Sequence, residues 1–398
     1  MTCVLIVDGE ADGLEELCRQ LHSAREEWEM HVVATPREAL GFMDVRAPDV
    51  VVIDLAQMVD GVKLLLEVEK RQPNAVRIVT STQAEHRSYV ESIGVAHQFL
   101  QKPVEPDSLM EAIARACALR RWAVRPGVVS SVRRYGRPPR LPQVYRALVQ
   151  AVQRDASLAE IGAIVGSDPA MTARLLQVAN SAFFAPRHPI TSAELATSFL
   201  GLEMVRAIVI FEGIAGAGSA GPVVDRRVHD IWRHSLEIAA TAQRLADHEK
   251  LPRDQVASAF SLGVMHDLGA ILLARHHDPI DAGDQRHSAE EIERERHGVA
   301  HTEAGACLVL DWGLPDDVVE VLAFHHEPLR FGTTSRPTAG FLVAAACAFR
   351  DVSAAGPDPR AVERLSAALA ARGLADRLDP WHAVADHARQ PAATKPVA

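Results

Sequence analysis

Two sets of side chains in this sequence are of the types that handle phosphate and metal. The first is Asp8, Asp54, Thr80, Ser81 and Lys102. Carboxylates, a hydroxyl and an ammonium brought together suit Mg2+-assisted transfer of a phosphoryl group to an Asp. The lysine and the hydroxyl would hold the transferred oxygens. The second set is His234, the adjacent His266-Asp267 in the apolar run "SLGVMHDLGAILL", His301, and His325-His326 at the end of "VVEVLAFHH". Imidazoles and a carboxylate on neighbouring helices are suitable ligands for Zn, Mn or Fe. A metal there would polarise a phosphate and activate water. A lone His in a bundle is more often a hydrogen-bonded core residue, and a lone Asp or Thr more often a cap. The ordered recurrence of the residues carries the argument.

The elements that must position the first set are legible as rhythm. Short β-branched runs at 3–8, 30–34, 49–54, 76–81 and 97–101 read as strands. Helical patterns such as "ADGLEELCRQLHSA" and "GVKLLLEVEKRQ" lie between them. Continuous apolar runs are expected where both faces of a parallel sheet are covered. Five strand-helix repeats predict a doubly wound, flavodoxin-like α/β domain over residues 1–120, with its site at the carboxyl ends of the strands. Asp8, Asp54, Thr80, Ser81 and Lys102 fall at those ends.

Beyond residue 120 the strand rhythm stops, and apolar residues recur three and four apart. This predicts an all-α domain at 141–350, a helical extension at 351–387, and a disordered tail at 388–398. Between the two domains, residues 112–154 hold ten Arg and no Asp or Glu. With "GRPPRLP" this reads as a basic, Pro-stiffened linker at 121–140, a solvated hinge rather than a nucleic-acid strip.

Hydrophobic residues are 48% of the 398, so a packed core is expected, and a net charge of −10 argues against bulk attraction to nucleic acid or anionic membrane. The five Cys (3, 18, 117, 307 and 347) show no metal-like spacing and fit a reducing compartment. No apolar run reads as approaching the roughly 20 residues that span a bilayer, and no leader pattern opens the chain. A cytoplasmic protein without membrane insertion is expected.

The first constellation resembles the receiver domain of two-component response regulators. The resemblance implies Asp54 as phosphoacceptor, Thr80 or Ser81 as the switch hydroxyl, Lys102 in an intact "KP", a Mg2+ ion, and a sensor histidine kinase as partner. Two departures weaken the Mg2+ expectation. Asp8 is followed by Gly9 where the family has a second acid, with Glu10 next to it, and the loop after Asp54, "LAQMVDG", lacks the usual Met-Pro. The His series resembles the HD superfamily of metal-dependent phosphohydrolases. "LAEIGAIVGSDPAMTARLLQVANSAFF" and "WGLPDDVVEVLAFHHEP" narrow the likeness to the HD-related output domain, HDOD. That resemblance implies His234, His266 and Asp267 as ligands of a first metal, and His301, His325 and His326 as ligands of further ones. A later Asp expected near "FLVAAACAFR" is missing. Cys347 or Ala346 stands there, and a Cys347 thiolate is the expected substitute. Ala270 replaces the lysine of the branch that hydrolyses cyclic di-GMP, and "HHEPLRFG" lacks its Gly-Tyr-Pro.

The expectation is a response regulator whose receiver controls a non-catalytic HDOD output, acting through an unknown protein or nucleotide. Hydrolysis of cyclic di-GMP or a related phosphodiester is the first alternative. A phosphorylation-independent receiver serving as a dimerisation module, with a homodimer as its product, is the second.

Overall fold

The computed structural model describes residues 2–9, 28–55, 60–72, 75–81, 96–123, 125–134, 143–154, 156–181, 184, 186–215, 221–276, 288–312, 314–332, 335–353 and 356–389. Glu10, the helix expected at 11–24, most of the loop after Asp54 and residues 390–398 lie outside them. The chain divides into two compact units, residues 1–124 and, for the most part, 125–398.

The first unit is a five-stranded parallel sheet of order β2-β1-β3-β4-β5. Its strands are β1 (Thr2–Val7), β2 (Trp28–Val33), β3 (Val50–Asp54), β4 (Val76–Ser81) and β5 (Gln98–Gln101). All five coincide with the predicted runs to within two residues. Helices α1 (Pro36–Val45), α2 (Gly61–Arg71) and α3 (Pro106–Ala123) cover it. Strand alternation sorts the apolar runs between two faces. Val4, Ile6, Val50, Val52, Val76 and Ile78 pack with Leu109, Ile113 and Ala116 of α3. Their neighbours Leu5, Val7, Val51, Ile53 and Val79 pack with Ala39 and Met43 of α1 and Leu64, Leu65 and Val68 of α2. Both faces are dry, which is why these strands read as unbroken apolar runs.

The second unit is helical. It comprises α4 (Pro126–Arg134), α5 (Gln143–Gln153), α6 (Leu158–Gly166), α7 (Pro169–Ala179), α8 (Ala193–Leu200), α9 (Leu202–Ala215), α10 (Pro222–His248), α11 (Arg253–Met265) and α12 (Leu268–His276). It continues with α13 (Ala289–His297), α14 (His301–Asp311), α15 (Asp316–Phe324) and α16 (Ala339–Ala348). A short hairpin follows, β6 (Asp351–Ser353) with β7 (Gly356–Pro357), and then α17 (Pro359–Ala371) and α18 (Leu378–Arg389). The polar motifs of this unit have local mechanisms. Asp168 caps α7 by accepting from the N–H groups of Ala170 and Met171, ahead of Pro169 in the first turn. The Asn180 amide accepts from the Ile190 N–H and donates to the Ile190 and Leu176 carbonyls, closing the loop after α7. Arg372, after α17, is buried under Phe341 and donates to the carbonyls of Pro328, Phe331, Gly332 and Ala368.

Four expectations change. The stretch expected as a solvated linker carries helix α4, and its Val128, Ser131 and Val132 are buried. Valines 128 and 132 pack on Leu272, Leu273, Val299 and Ala304. The extension after 350 opens with a β-hairpin rather than a helix. The first two residues of the expected tail, Ala388 and Arg389, end α18. Finally, residues 253–275 are long and apolar enough, by length and composition, to cross a membrane. Most of that stretch is buried inside the unit, and α11 ends and α12 begins at His266-Asp267.

Candidate functional site

In the first unit, parallel register sets Asp54 beside Thr80 at the carboxyl ends of β3 and β4. The Thr80 hydroxyl donates to Asp54 Oδ1 at 3.3 Å, and Lys102 Nζ donates to Oδ2 at 2.6 Å. Lys102 Nζ also lies 3.6 Å from Asp8 Oδ2. Lys102 follows β5 and precedes a cis peptide to Pro103; its N–H bonds the Ser81 carbonyl at 2.9 Å. Ser81 is buried next to Thr80, whose hydroxyl bonds Asp54. Two carboxylates therefore face one ammonium at the carboxyl ends of the strands. Asp8 and Asp54 supply the one or two carboxylates that a hydrated Mg2+ uses.

The second unit gathers the predicted histidines from four helices. His234 comes from α10, His266-Asp267 from the α11–α12 corner, His301 from the start of α14, and His325-His326 from the residues after α15. Glycines permit this closeness. A Cβ on Gly263 would sit 2.5 Å from Ala239 Cα, and one on Gly269 would sit 1.9 Å from the His301 carbonyl and 2.6 Å from Gly305 N. Backbones of α11 and α10, and of α12 and α14, therefore cross in direct contact.

Two ligand groups result: His234, His266 and Asp267, and His301, His325 and His326, each with ligand atoms within 4.8 Å of one another. Asp267 faces both. Its Oδ2 is 3.7 Å from His234 Nε2 and 3.8 Å from His266 Nε2, and its Oδ1 is 3.6 Å from His301 Nε2. Three rings are anchored at Nδ1, which leaves Nε2 facing inward. His266 bonds the Gly263 carbonyl at 2.8 Å, His325 the Val321 carbonyl at 3.0 Å, and His301 the Glu293 carboxylate at 2.7 Å. Such outer partners fix ring orientation at metal sites. The inward nitrogens crowd each other, at 3.2 Å for His266–His234 and 3.3 Å for His301–His325. Two lone pairs cannot face at that distance without a proton or a cation between them. His234 Nδ1 is buried with no hydrogen-bond partner among the described residues, so its only outlet is the cluster side. The donor set fits a transition metal.

The electrostatics agree. Burial, reinforced by the neighbouring His266, lowers His234 to about 3. Burial, with His301 adding to it, lowers His326 to about 3. Burial alone would raise Asp267, but the surrounding histidines outweigh it and hold the carboxylate well below its usual range. His301 moves the other way. Burial opposes its charge, yet the Glu293 carboxylate and its hydrogen bond raise it to about 9.

Cys347, the expected substitute ligand, lies on α16. Burial, and then the nearby Asp267 charge, push its thiol far up. Among the described residues it belongs to neither compact ligand group. Sequence reasoning also missed Glu293. It lies eight residues before His301 in the charged helix "AEEIERERH", where it resembles any solvent-facing acid.

The response regulator receiver domain family matches residues 4–114, and the HDOD domain family matches residues 139–328. The chain joins a response regulator receiver domain to an HDOD domain. A Treponema pallidum protein of uncharacterized role is 26% identical over 203 residues, 48% of this chain and 37% of that protein. The luminescence regulatory protein LuxO of Vibrio campbellii is 29% identical over 136 residues, 33% of this chain and 30% of that protein. The chain thus spans about a third of the length of these curated relatives. Among solved structures, an HDOD domain protein of unknown function from Geobacter sulfurreducens is 18% identical, with a TM-score of 0.44, covering 65% of this chain and 97% of that one. The receiver carries the Asp54–Lys102–Thr80 group, and the HDOD domain carries both histidine groups.

Proposed function

We propose that this response regulator takes its input as a phosphoryl group on Asp54, from a sensor histidine kinase in the cytoplasm. The observation that carries this reading is Asp54 held between the Lys102 ammonium and the Thr80 hydroxyl at the carboxyl ends of the strands. An Asp54 oxygen attacks phosphorus, the P–N bond to the donor imidazole breaks, and its electron pair leaves with the imidazole. Lys102 and Thr80 are placed to hold the oxygens of the new acyl phosphate. Asp8 and Asp54 would hold Mg2+, which when bound neutralises charge on the transferred group. Incubating the full chain with Mg2+ and phosphoramidate tests this. Labelling of wild type and none of Asp54→Asn is expected. No labelling of wild type sinks the reading and favours a receiver that works without phosphate.

For the output we propose that the HDOD domain binds a protein or nucleotide partner, with its helices organised around a transition metal. Ala270 in place of a phosphate-holding lysine, and no carboxylate contributed by α16, support binding over turnover. His234, His266 and Asp267, and His301, His325 and His326, would hold the metal, which when bound supplies Lewis acidity. One observation favours a second reading, a phosphodiesterase: the two Asp267 oxygens face separate ligand groups, as a shared ligand would. Metal-loaded protein that cleaves cyclic di-GMP, with cleavage lost in His266→Ala, would establish the second reading and displace the first.

A further inference from the structure

Helix α13 is held in an unusual way. None of its residues is buried, and its apolar side chains are Ala289 and Ile292 alone. A helix without an apolar face has little to fix it except polar contacts. Several of those contacts reach the start of α14. Glu293 accepts from both the backbone N–H and Nδ1 of His301, each at 2.7 Å. Glu290 accepts from the Thr302 hydroxyl at 2.8 Å, and Arg294 Nε donates to Glu303 Oε1 at 3.3 Å.

The same carboxylate oxygen is shared. Arg125 Nη2 donates to Glu303 Oε1 at 2.7 Å. Arg125 heads α4, the helix that follows the last receiver helix in the chain. Helix α4 also reaches the far end of α13: Ser131 Oγ donates to the carbonyl of Gly298, its left-handed C-cap, at 3.2 Å. Valines 128 and 132 pack on Val299, between α13 and α14, and on Ala304 in the first turn of α14.

We propose that Glu293 is the positioning residue of His301, and that α4 controls its grip through the shared Glu303 and the Gly298 cap. The proposal rests on the metal reading above for its functional consequence. Two arginines on one carboxylate oxygen form a competition: a shift of α4 changes what Arg294 must supply to hold α13. Helix α13 has no fully buried apolar residue to hold it, so its position should respond to these polar contacts. Moving it withdraws Glu293 from His301 and releases one ring of the second ligand group, while the anchors of His266 and His325 lie elsewhere. The segment leaving the receiver would thereby set the metal affinity of the His301 group.

Full-length protein titrated with Co2+, followed by its visible absorption, reads the first half. Glu293→Ala should weaken the His301 group roughly tenfold to a hundredfold, the range for lost outer partners, and Glu293→Gln, which keeps an acceptor, should weaken it less. His301→Ala is the reference for complete loss of that group. Equal affinity for wild type and Glu293→Ala, with loss in His301→Ala, overturns the positioning role and leaves the metal reading intact. No Co2+ uptake by wild type overturns the metal reading and the functional half together. Amide hydrogen exchange of the metal-free chain decides the α4 half on its own. Arg125→Ala should speed exchange across 289–297 severalfold, with α10 and α16 unchanged; unchanged exchange in 289–297 overturns that half.

Discussion

The receiver site and the histidine cluster neutralise a buried carboxylate in opposite ways. Asp54 meets a permanent cation, the Lys102 ammonium at 2.6 Å. Among the described residues, Asp267 has imidazoles as its ion-pair partners, which are cations or not according to what else is bound. The Asp54 group rests on strand ends, where neighbouring loops vary without disturbing the sheet. The Asp267 group sits where helix backbones touch, and cannot shift without shifting the fold. A site of the first kind accepts and releases a group on its surface. A site of the second kind holds something as part of its architecture.

The comparison breaks most completely at Asp54. Asp54→Asn should abolish phosphorylation, read as loss of the shifted band on a phosphate-affinity gel, whereas His266→Ala should leave it unchanged. Loss in both would mean that the sites are not independent. Next is the cost of one methyl group. Gly269→Ala drives a Cβ into the His301 carbonyl and should destabilise the HDOD domain by about 3 kcal/mol or more. Gly41→Ala in receiver helix α1 meets open space and should stabilise by up to about 1 kcal/mol. Urea denaturation of each variant checks both.

The third test uses pH. His301, raised to about 9, must lose a proton when metal binds, so apparent Zn2+ affinity should rise up to about tenfold per pH unit until about pH 9. In the metal-free protein the signs oppose. His301 is raised above its unfolded value of about 6.5, so its stabilisation is full below that pH and is lost as pH rises toward 9. His234 and His326 are lowered to about 3, so theirs is present above about 6.5 and is lost as pH falls. Thermal melts across this range should peak between the two limbs, and metal should flatten the alkaline one. The smallest effect is Thr80→Ala. It removes one 3.3 Å hydrogen bond worth about 1 kcal/mol, and should shorten the acyl phosphate lifetime a few-fold.

Much of this was legible in the residues. Strands β1, β3 and β4 announce themselves because a sheet covered on both faces needs apolar residues at every position. The His series was legible through its order. What escaped depends on contacts between elements. Helix α4 hides in an arginine-rich stretch because few residues, Val128 and Val132 among them, anchor it. Glu293 has the composition of a surface residue, and only the fold brings it onto His301. Gly269 and Gly305 mark the crossing that brings Asp267 to His301, and nothing in their spacing announces it.

Arg372 bears on where the output module ends. The stretch matched by the HDOD family stops at 328, yet three carbonyls just at and after that boundary are satisfied by a guanidinium from beyond α17. Trp381, fully buried, likewise bonds Glu249 at the end of α10. A chain shortened to the matched span would lose Phe331 and Gly332 together with Arg372, leave the Pro328 carbonyl without its guanidinium, and uncover one end of α10. The last two helices are therefore tied into the same helical unit as the histidines, and a transplant of this output that keeps them should be the more stable one.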